Sequence, residues 1–294
     1  MSEAPVYHAS PIKRPRVRAT RNQVEQRRAD LLQIVYGARP CTVRQVFYQA
    51  TVRGIVEKSE AGYGKVQHDL VLMRRADELP YNWLADNTRW QRKPRTFDGV
   101  ADAVTQTAKF YRKALWTHAD CYVEIWLEKD ALAGVVLPIT DLYDVPLMVA
   151  RGYASLSFLH SAAEDINELD VPTYIYHLGD YDPSGVNAGE KIEETLREMA
   201  PDAEIHFERL AVNPSQIQAW DLPTRPTKIS DSRSKGFGEI SVELDAIDPE
   251  RLRALVRAAI EQHLPAEQYK ILKIAEDSER ALIKQLVGGL GSAR

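Results

Sequence analysis

The residues best suited to chemistry are three acids placed where two apolar runs end. Thr173-Tyr174-Ile175-Tyr176-His177-Leu178 leads into Gly179-Asp180-Tyr181-Asp182-Pro183-Ser184-Gly185, and Tyr122-Val123-Glu124-Ile125-Trp126-Leu127 stops at Glu128. In an extended chain alternate side chains share a face, so Asp180 and Asp182 point the same way. Gly179 permits a tight turn and Pro183 cannot continue a ladder, which puts the pair on the rim of a sheet. An Asp-x-Asp triplet alone is a solvated turn more often than a ligand set, but here it follows an apolar run and precedes a helix start. Three carboxylates about 4 Å apart repel by several kcal/mol per pair at an effective dielectric near 20. A hard divalent cation removes that cost, and an all-oxygen set favours Mg2+ or Mn2+ over zinc. The expectation is a magnesium site of Glu128, Asp180 and Asp182 serving phosphodiester chemistry.

Tyr48 is the candidate nucleophile. On a helix starting at Val43 it falls roughly 150° from the apolar stripe of Val43, Val46, Phe47 and Ala50, and one turn after Arg44. It reads as lying off the buried face, where it is either a nucleophile or a surface tyrosine stacked on an arginine stem. Ionising a phenol of pKa about 10 at pH 7 costs roughly 4 kcal/mol. An exposed arginine supplies about 1 kcal/mol or less, so Arg44 more plausibly clamps the scissile phosphate. His177 reads as a strand residue packed against a helix. No glycine-rich Walker loop is present, which argues against ATP hydrolysis by this chain.

The elements needed to hold these residues fall into two halves. Thr20 caps a helix to about Tyr36 with Gly37 as its stop, Thr42 caps a second ending near Arg53-Gly54, and a third spans about 63–75. That third helix buries Val66, Leu70 and Met73 and presents Lys65, His68 and Arg75. A turn-rich basic stretch from Trp83 to Phe97 follows, with Arg89, Arg92, Lys93 and Arg95 among aromatic residues. Three short helices and a basic hairpin-like segment read as a winged helix over 20–118, preceded by a flexible basic arm over 1–19. From residue 119 strands and helices alternate: strands near 122–128, 146–150, 172–179 and 204–210, with helices between them and two more near 249–263 and 265–288. The expected fold class is α/β, with a parallel sheet flanked by helices over 119–294 and a helical extension at its end.

Charge divides the same way. Residues 1–118 carry 21 Lys+Arg against 11 Asp+Glu, and residues 119–294 carry 17 against 31. A basic front half suits a polyanion and an acidic rear half suits a metal site. No apolar run approaches the roughly 18 residues needed to span a membrane, and residues 1–18 lack the apolar segment of a secretory signal. Cys41 and Cys121 stand alone, without a histidine at zinc-finger spacing, and fit a reducing interior. The expected location is cytoplasmic.

Together these residues resemble the A subunit of DNA topoisomerase VI and the related meiotic double-strand-break transesterases. Arg44-Gln45-Val46-Phe47-Tyr48 resembles that family's tyrosine motif, Leu127-Glu128-Lys129 its Glu-Lys strand end, and Arg151-Gly152-Tyr153 a later turn. Asp180-Tyr181-Asp182-Pro183-Ser184-Gly185 resembles its Asp-x-Asp-Pro-x-Gly element, and Val242-Glu243-Leu244-Asp245-Ala246 a late segment. The resemblance covers about residues 20–263 and implies a winged helix bearing the nucleophile Tyr48, then a Toprim domain holding Mg2+. It also implies double-stranded DNA as substrate and a homodimer in which the tyrosine of one protomer meets the acids of the other. Before the winged helix the chain is short compared with topoisomerase VI, so dependence on an ATPase B-type subunit is not implied with it. Two other readings stand beside transesterification: a Toprim endonuclease in which metal-bound water attacks, and a non-catalytic DNA-binding protein with a degenerate Toprim domain.

Overall fold

The computed structural model describes residues 19–85, 94–227, 237–264 and 266–291. Capping chemistry starts the first three helices. Thr20 and Gln23 exchange side chain-to-backbone hydrogen bonds at the head of α1 (Arg21–Ala38), and Thr42 and Gln45 do the same for α2 (Val43–Val52). Gly37 does not stop α1, which runs on to Ala38. Arg39 is extended (ψ 142°) because Pro40 bars the helical backbone from the residue before it. The third helix, α3 (Glu60–Arg75), begins three residues ahead of the apolar pattern, since Ser59 is a good cap and Glu60 suits a helix start. Leu31, Ile34, Val35, Val46, Ala50, Val66, Leu70 and Met73 form the shared core. Buried Asp69 accepts from Arg27 at 2.6 Å and Arg28 at 3.3 Å, tying α3 to α1.

Beyond α3, Cys41 and Leu84 form a single parallel bridge. Arg89, Arg92 and Lys93, expected in the basic hairpin-like segment, lie outside the described residues. Helix α4 (Val100–Phe110), which no sequence signal announced, has one fully buried side chain, Ala108.

The second half is a four-stranded, wholly parallel sheet in the order β2-β1-β3-β4, with β1 Tyr122–Leu127, β2 Leu147–Val149, β3 Thr173–Leu178 and β4 Ile205–Ala211. β1 is buried on both faces because helices cover both, and its one acid, Glu124, accepts from the Trp126 indole at 2.6 Å and the Tyr122 hydroxyl at 3.2 Å. α5 (Ala133–Tyr143) and α9 (Pro249–Glu261) contribute to the core on one face, α6 (Leu156–Asn167) and α7 (Pro183–Met199) to that on the other. The crossover from β1 leads to β2 and that from β3 leads to β4, in opposite directions. The crevice between the carboxyl ends of β1 and β3 is therefore a topological switch point, where such sheets receive ligands. Glu128 follows β1, and Asp180 and Asp182 follow β3.

After β4 come α8 (Pro214–Ala219) and a two-stranded antiparallel pair, β5 (Arg225–Pro226) and β6 (Ile240–Ser241). Residues 242–248 then return to the crevice and meet α2, with Ala246 packed against both the helical core and the sheet core. The last helix, α10 (Ala266–Gly291), lies along α4. Among the described residues no helix is long and apolar enough to cross a membrane.

Candidate functional site

The acidic loop is built from backbone contacts. Glu128 Oε2 accepts the Asp180 N–H at 2.9 Å, and Asp180 Oδ1 accepts the Leu244 N–H at 2.8 Å. Asp182 Oδ1 caps α7 through the Gly185 N–H at 2.8 Å, with Pro183 in the first turn. Glycine is required twice here: a Cβ on Gly179 or Gly185 would stand 2.7 or 2.9 Å from Glu128 Oε2. Arg209 of β4 sets the loop's shape. Its guanidinium donates to the carbonyls of Gly179 at 3.1 Å, Gly185 at 3.3 Å and Val212 at 3.1 Å, and to that of Asp180.

Cations face these acids. Lys129 Nζ lies 2.9 Å from Asp180 and 3.1 Å from Asp245, and Arg225 pairs with Asp182 at 3.0 Å. All of them converge on Glu243, which Arg225 reaches at 2.6 Å, Arg44 at 2.7 Å and Lys129 at 3.7 Å. Arg44, Lys129, Asp180, Arg225, Glu243 and Asp245 line one cleft of about 570 Å3. Thr42, the cap of α2, donates to Asp245 at 2.8 Å, so the helix start is itself tied to the crevice.

Tyr48 is buried, at 7% exposure, which corrects the reading that set it off the buried face. A helical wheel sees one helix, whereas the supposed outer side of α2 is covered by residues 243–248. Gln45 Nε2 donates to the Ile247 carbonyl at 3.4 Å and Gln49 Nε2 to Asp248 at 2.6 Å. Tyr48 lines a neighbouring cleft of about 450 Å3 with Trp220, Leu222, Ile247 and Arg251. Asp245 borders both clefts.

Burial and crowding set the proton affinities. Glu128 is pushed up to about 7 by burial and then by the charge of Asp180. Asp180 is raised by burial, with Lys129 opposing. Burial would also raise Glu243, but Lys129 and Arg44 outweigh it and hold its carboxyl below the ordinary range. The Tyr48 phenol is pushed up to about 12 by burial and by Glu243, against the pull of Arg44, Lys129 and Arg225. Buried His177 is driven down to about 3 by burial and by Arg209, and neither ring nitrogen has a hydrogen-bond partner among the described residues. Its ring lies close to Gly189 of α7, as expected of a strand residue under a helix.

The crowding of Glu128 by Asp180 and Asp182 and the oxygen-only donors fit a hard cation in charge and chemistry. The coordination is not preassembled: among the described residues no three His, Cys, Asp or Glu side chains gather as a ligand set. Asp180 and Asp182 are turned instead to Lys129, Arg225 and backbone N–H groups. Of the expected DNA contacts, Lys65, His68 and Arg75 are exposed on α3, while Arg95 rests 4.6 Å above the Phe110 ring. Arg209, Arg225, Glu243 and Asp245 escaped the sequence reading as site residues. The last two repeat the acid-x-acid spacing of Asp180 and Asp182 after an apolar residue, which was the available signal.

What the fold and site define is a mixed α/β protein with a charged crevice at the switch point of a parallel sheet. Compared with protein-family models and with curated proteins, the chain matches none.

Proposed function

We propose that the chain is a DNA-cleaving transesterase of the topoisomerase VI A type, with a winged-helix unit carrying Tyr48 and a Toprim unit carrying the acids. The observation that carries this reading is the docking of α2 at the acidic switch point, with Arg44 ion-paired to Glu243 beside Asp180. Through its cap Thr42, Arg44 and Gln49, this phenol-bearing helix bonds to three carboxylates, Asp245, Glu243 and Asp248, which packing alone does not call for.

In the proposed reaction Tyr48 Oη attacks a backbone phosphorus of double-stranded DNA. The P–O3′ bond breaks as the O–P bond forms, leaving a 5′-phosphotyrosyl link, and the phenol's proton ends on the departing 3′-oxygen. One phosphodiester replaces another, so the chemical step needs no ATP, and an ATPase B-type subunit remains a possible partner. Arg44 grips the non-bridging oxygens. Mg2+ or Mn2+, held by Glu128, Asp180 and Asp182, would supply neutralisation of charge at the phosphate. Ionising Tyr48 outright at pH 7 costs about 7 kcal/mol at a pKa near 12, so its proton leaves during attack. The exposed Lys65, His68 and Arg75 of α3 contact the duplex, and two copies of the chain make paired nicks.

The test is covalent trapping. Duplex DNA is incubated with the protein and Mg2+, denatured with detergent and run beside a Tyr48→Phe variant. A DNA-linked protein band present only with tyrosine supports the reading. Undiminished cutting by Tyr48→Phe sinks it. One observation favours a second reading, hydrolysis by water with Tyr48 a bystander: the phenol is nine-tenths buried and lines a different cleft from Asp180. That reading expects cutting without adduct.

A further inference from the structure

The geometry points to an oxyanion seat formed by Arg44, Lys129 and Arg225, which the chain's own Glu243 fills and which a nucleic-acid phosphate takes by displacing it. It rests on the proposal that the cleft receives DNA, though not on cleavage. Three cations from three separate segments converge on one carboxylate, at 2.7, 3.7 and 2.6 Å. Arg44 Nη1 reaches both Glu243 oxygens, at 3.0 and 2.7 Å, and Arg225 Nη1 one of them at 2.6 Å. Guanidinium donors serve the non-bridging oxygens of a phosphodiester in the same way, since both present a pair of anionic oxygens. The seat opens in the right direction. Side-chain exposure is 44% for Arg44, 30% for Arg225 and 25% for Lys129, but 6% for Glu243. An anion entering the cleft meets the cations first, with the carboxylate behind them. Lys129 and Arg225 also hold Asp180 and Asp182, so filling the seat from outside loosens their grip on those acids. Glu243 thus acts as an internal stand-in for substrate, and its neutralisation frees binding capacity.

The experiment measures binding of a fluorescent 20-base-pair duplex by anisotropy, in a Tyr48→Phe background and without divalent cation, so that neither transesterification nor hydrolysis intervenes. Inorganic pyrophosphate serves as a competitor to separate a backbone phosphate from a free one. Glu243→Gln is expected to tighten duplex binding at least tenfold. It should also steepen the slope of log K against log salt by about one, the signature of one more phosphate neutralised. Arg225→Ala is expected to change affinity less than twofold while Glu243 is present, and at least fivefold in the Glu243→Gln chain. Glu243→Asp, which keeps the charge but draws it back by one methylene, serves if Glu243→Gln fails to fold, with a gain of about threefold. Equal cost of Arg225→Ala in both backgrounds, or no gain from either Glu243 variant, overturns the seat while leaving DNA binding intact. Displacement of the duplex by stoichiometric pyrophosphate assigns the seat to free phosphates and overturns the nucleic-acid version. No duplex binding by any form overturns both the seat and the proposal beneath it.

Discussion

The two clefts on either side of Asp245 hold their central groups in different ways. On the Arg44 side charge is dense and paired: each acid has a cation or a backbone N–H. On the Tyr48 side the lining mixes Trp220, Leu222 and Ile247 with Asp221, Asp248 and Arg251, and burial makes the phenol's proton harder to remove than in water. Under the transesterase proposal the contrast means that electrostatics and nucleophile are prepared separately. Asp180, Glu243 and Asp245 are as buried as the phenol, at 6, 5 and 3% against 7% exposure, so the two clefts differ in the pairing of charge rather than in access to water. On that proposal the two sides must be brought together, and Asp245, which borders both clefts, marks where they adjoin.

The largest expected effect tests whether the second cleft holds a nucleophile at all. Tyr48→Phe is expected to lower cleavage by at least about 10⁴-fold and abolish the adduct, measured by trapping and nicking assays. Its urea-unfolding stability should change by about 1 kcal/mol or less, since the ring that fills the core is kept. Loss of stability with retained cutting would make Tyr48 a packing residue and erase the contrast.

Next in size is the frame of the charged side. Arg209→Met removes donors from four carbonyls and is expected to cost about 3 kcal/mol in urea unfolding, with faster amide exchange at residues 179–185. An unchanged exchange rate would mean that the loop holds its own shape.

A smaller effect reads the crowding of acids directly. In the folded chain Glu128 keeps its proton up to about pH 7, whereas an unfolded glutamate releases it near 4.5. The folded state binds more protons between those values, so this contribution is complete below pH 4.5 and is lost as pH rises through 7. Glu128→Gln is expected to flatten that decline in metal-free protein and to be about 2 kcal/mol more stable than the parent at pH 8, by chemical denaturation. Millimolar Mg2+ should raise the parent's melting temperature at pH 8 and hardly at pH 5. Equal effects at both pH values would place the ion elsewhere.

These features were unequally legible beforehand. The capping residues Thr20 and Thr42, the strand runs and the acids at their ends are local patterns, and local patterns survive in sequence. Tyr48's burial is not local: Arg44 and its partner Glu243 are 199 residues apart, and no helical wheel registers a segment arriving from that distance. Arg209 left no trace because it binds carbonyls, which every residue has. Helix α8 has six residues opening on a proline, and α4 buries one alanine fully, so neither offers an apolar stripe long enough to stand out.

The smallest effect concerns His177, whose ring nitrogens lack partners among the described residues. His177→Phe is expected to leave stability unchanged or raise it by about 1 kcal/mol, because an orphaned polar ring is replaced by an apolar one. A loss above 2 kcal/mol would show that the ring is held by a contact the apolar variant cannot make.

Arg209 grips main-chain oxygens and leaves the side chains of the loop untouched. The scaffold of the crevice is thereby held partly apart from its chemistry, and asparagine, whose carbonyl oxygen still accepts the Leu244 or Gly185 N–H, can replace Asp180 or Asp182 without re-sculpting the turn. The same uncoupling would let descendants of this chain swap one reactive group for another while inheriting the cradle intact.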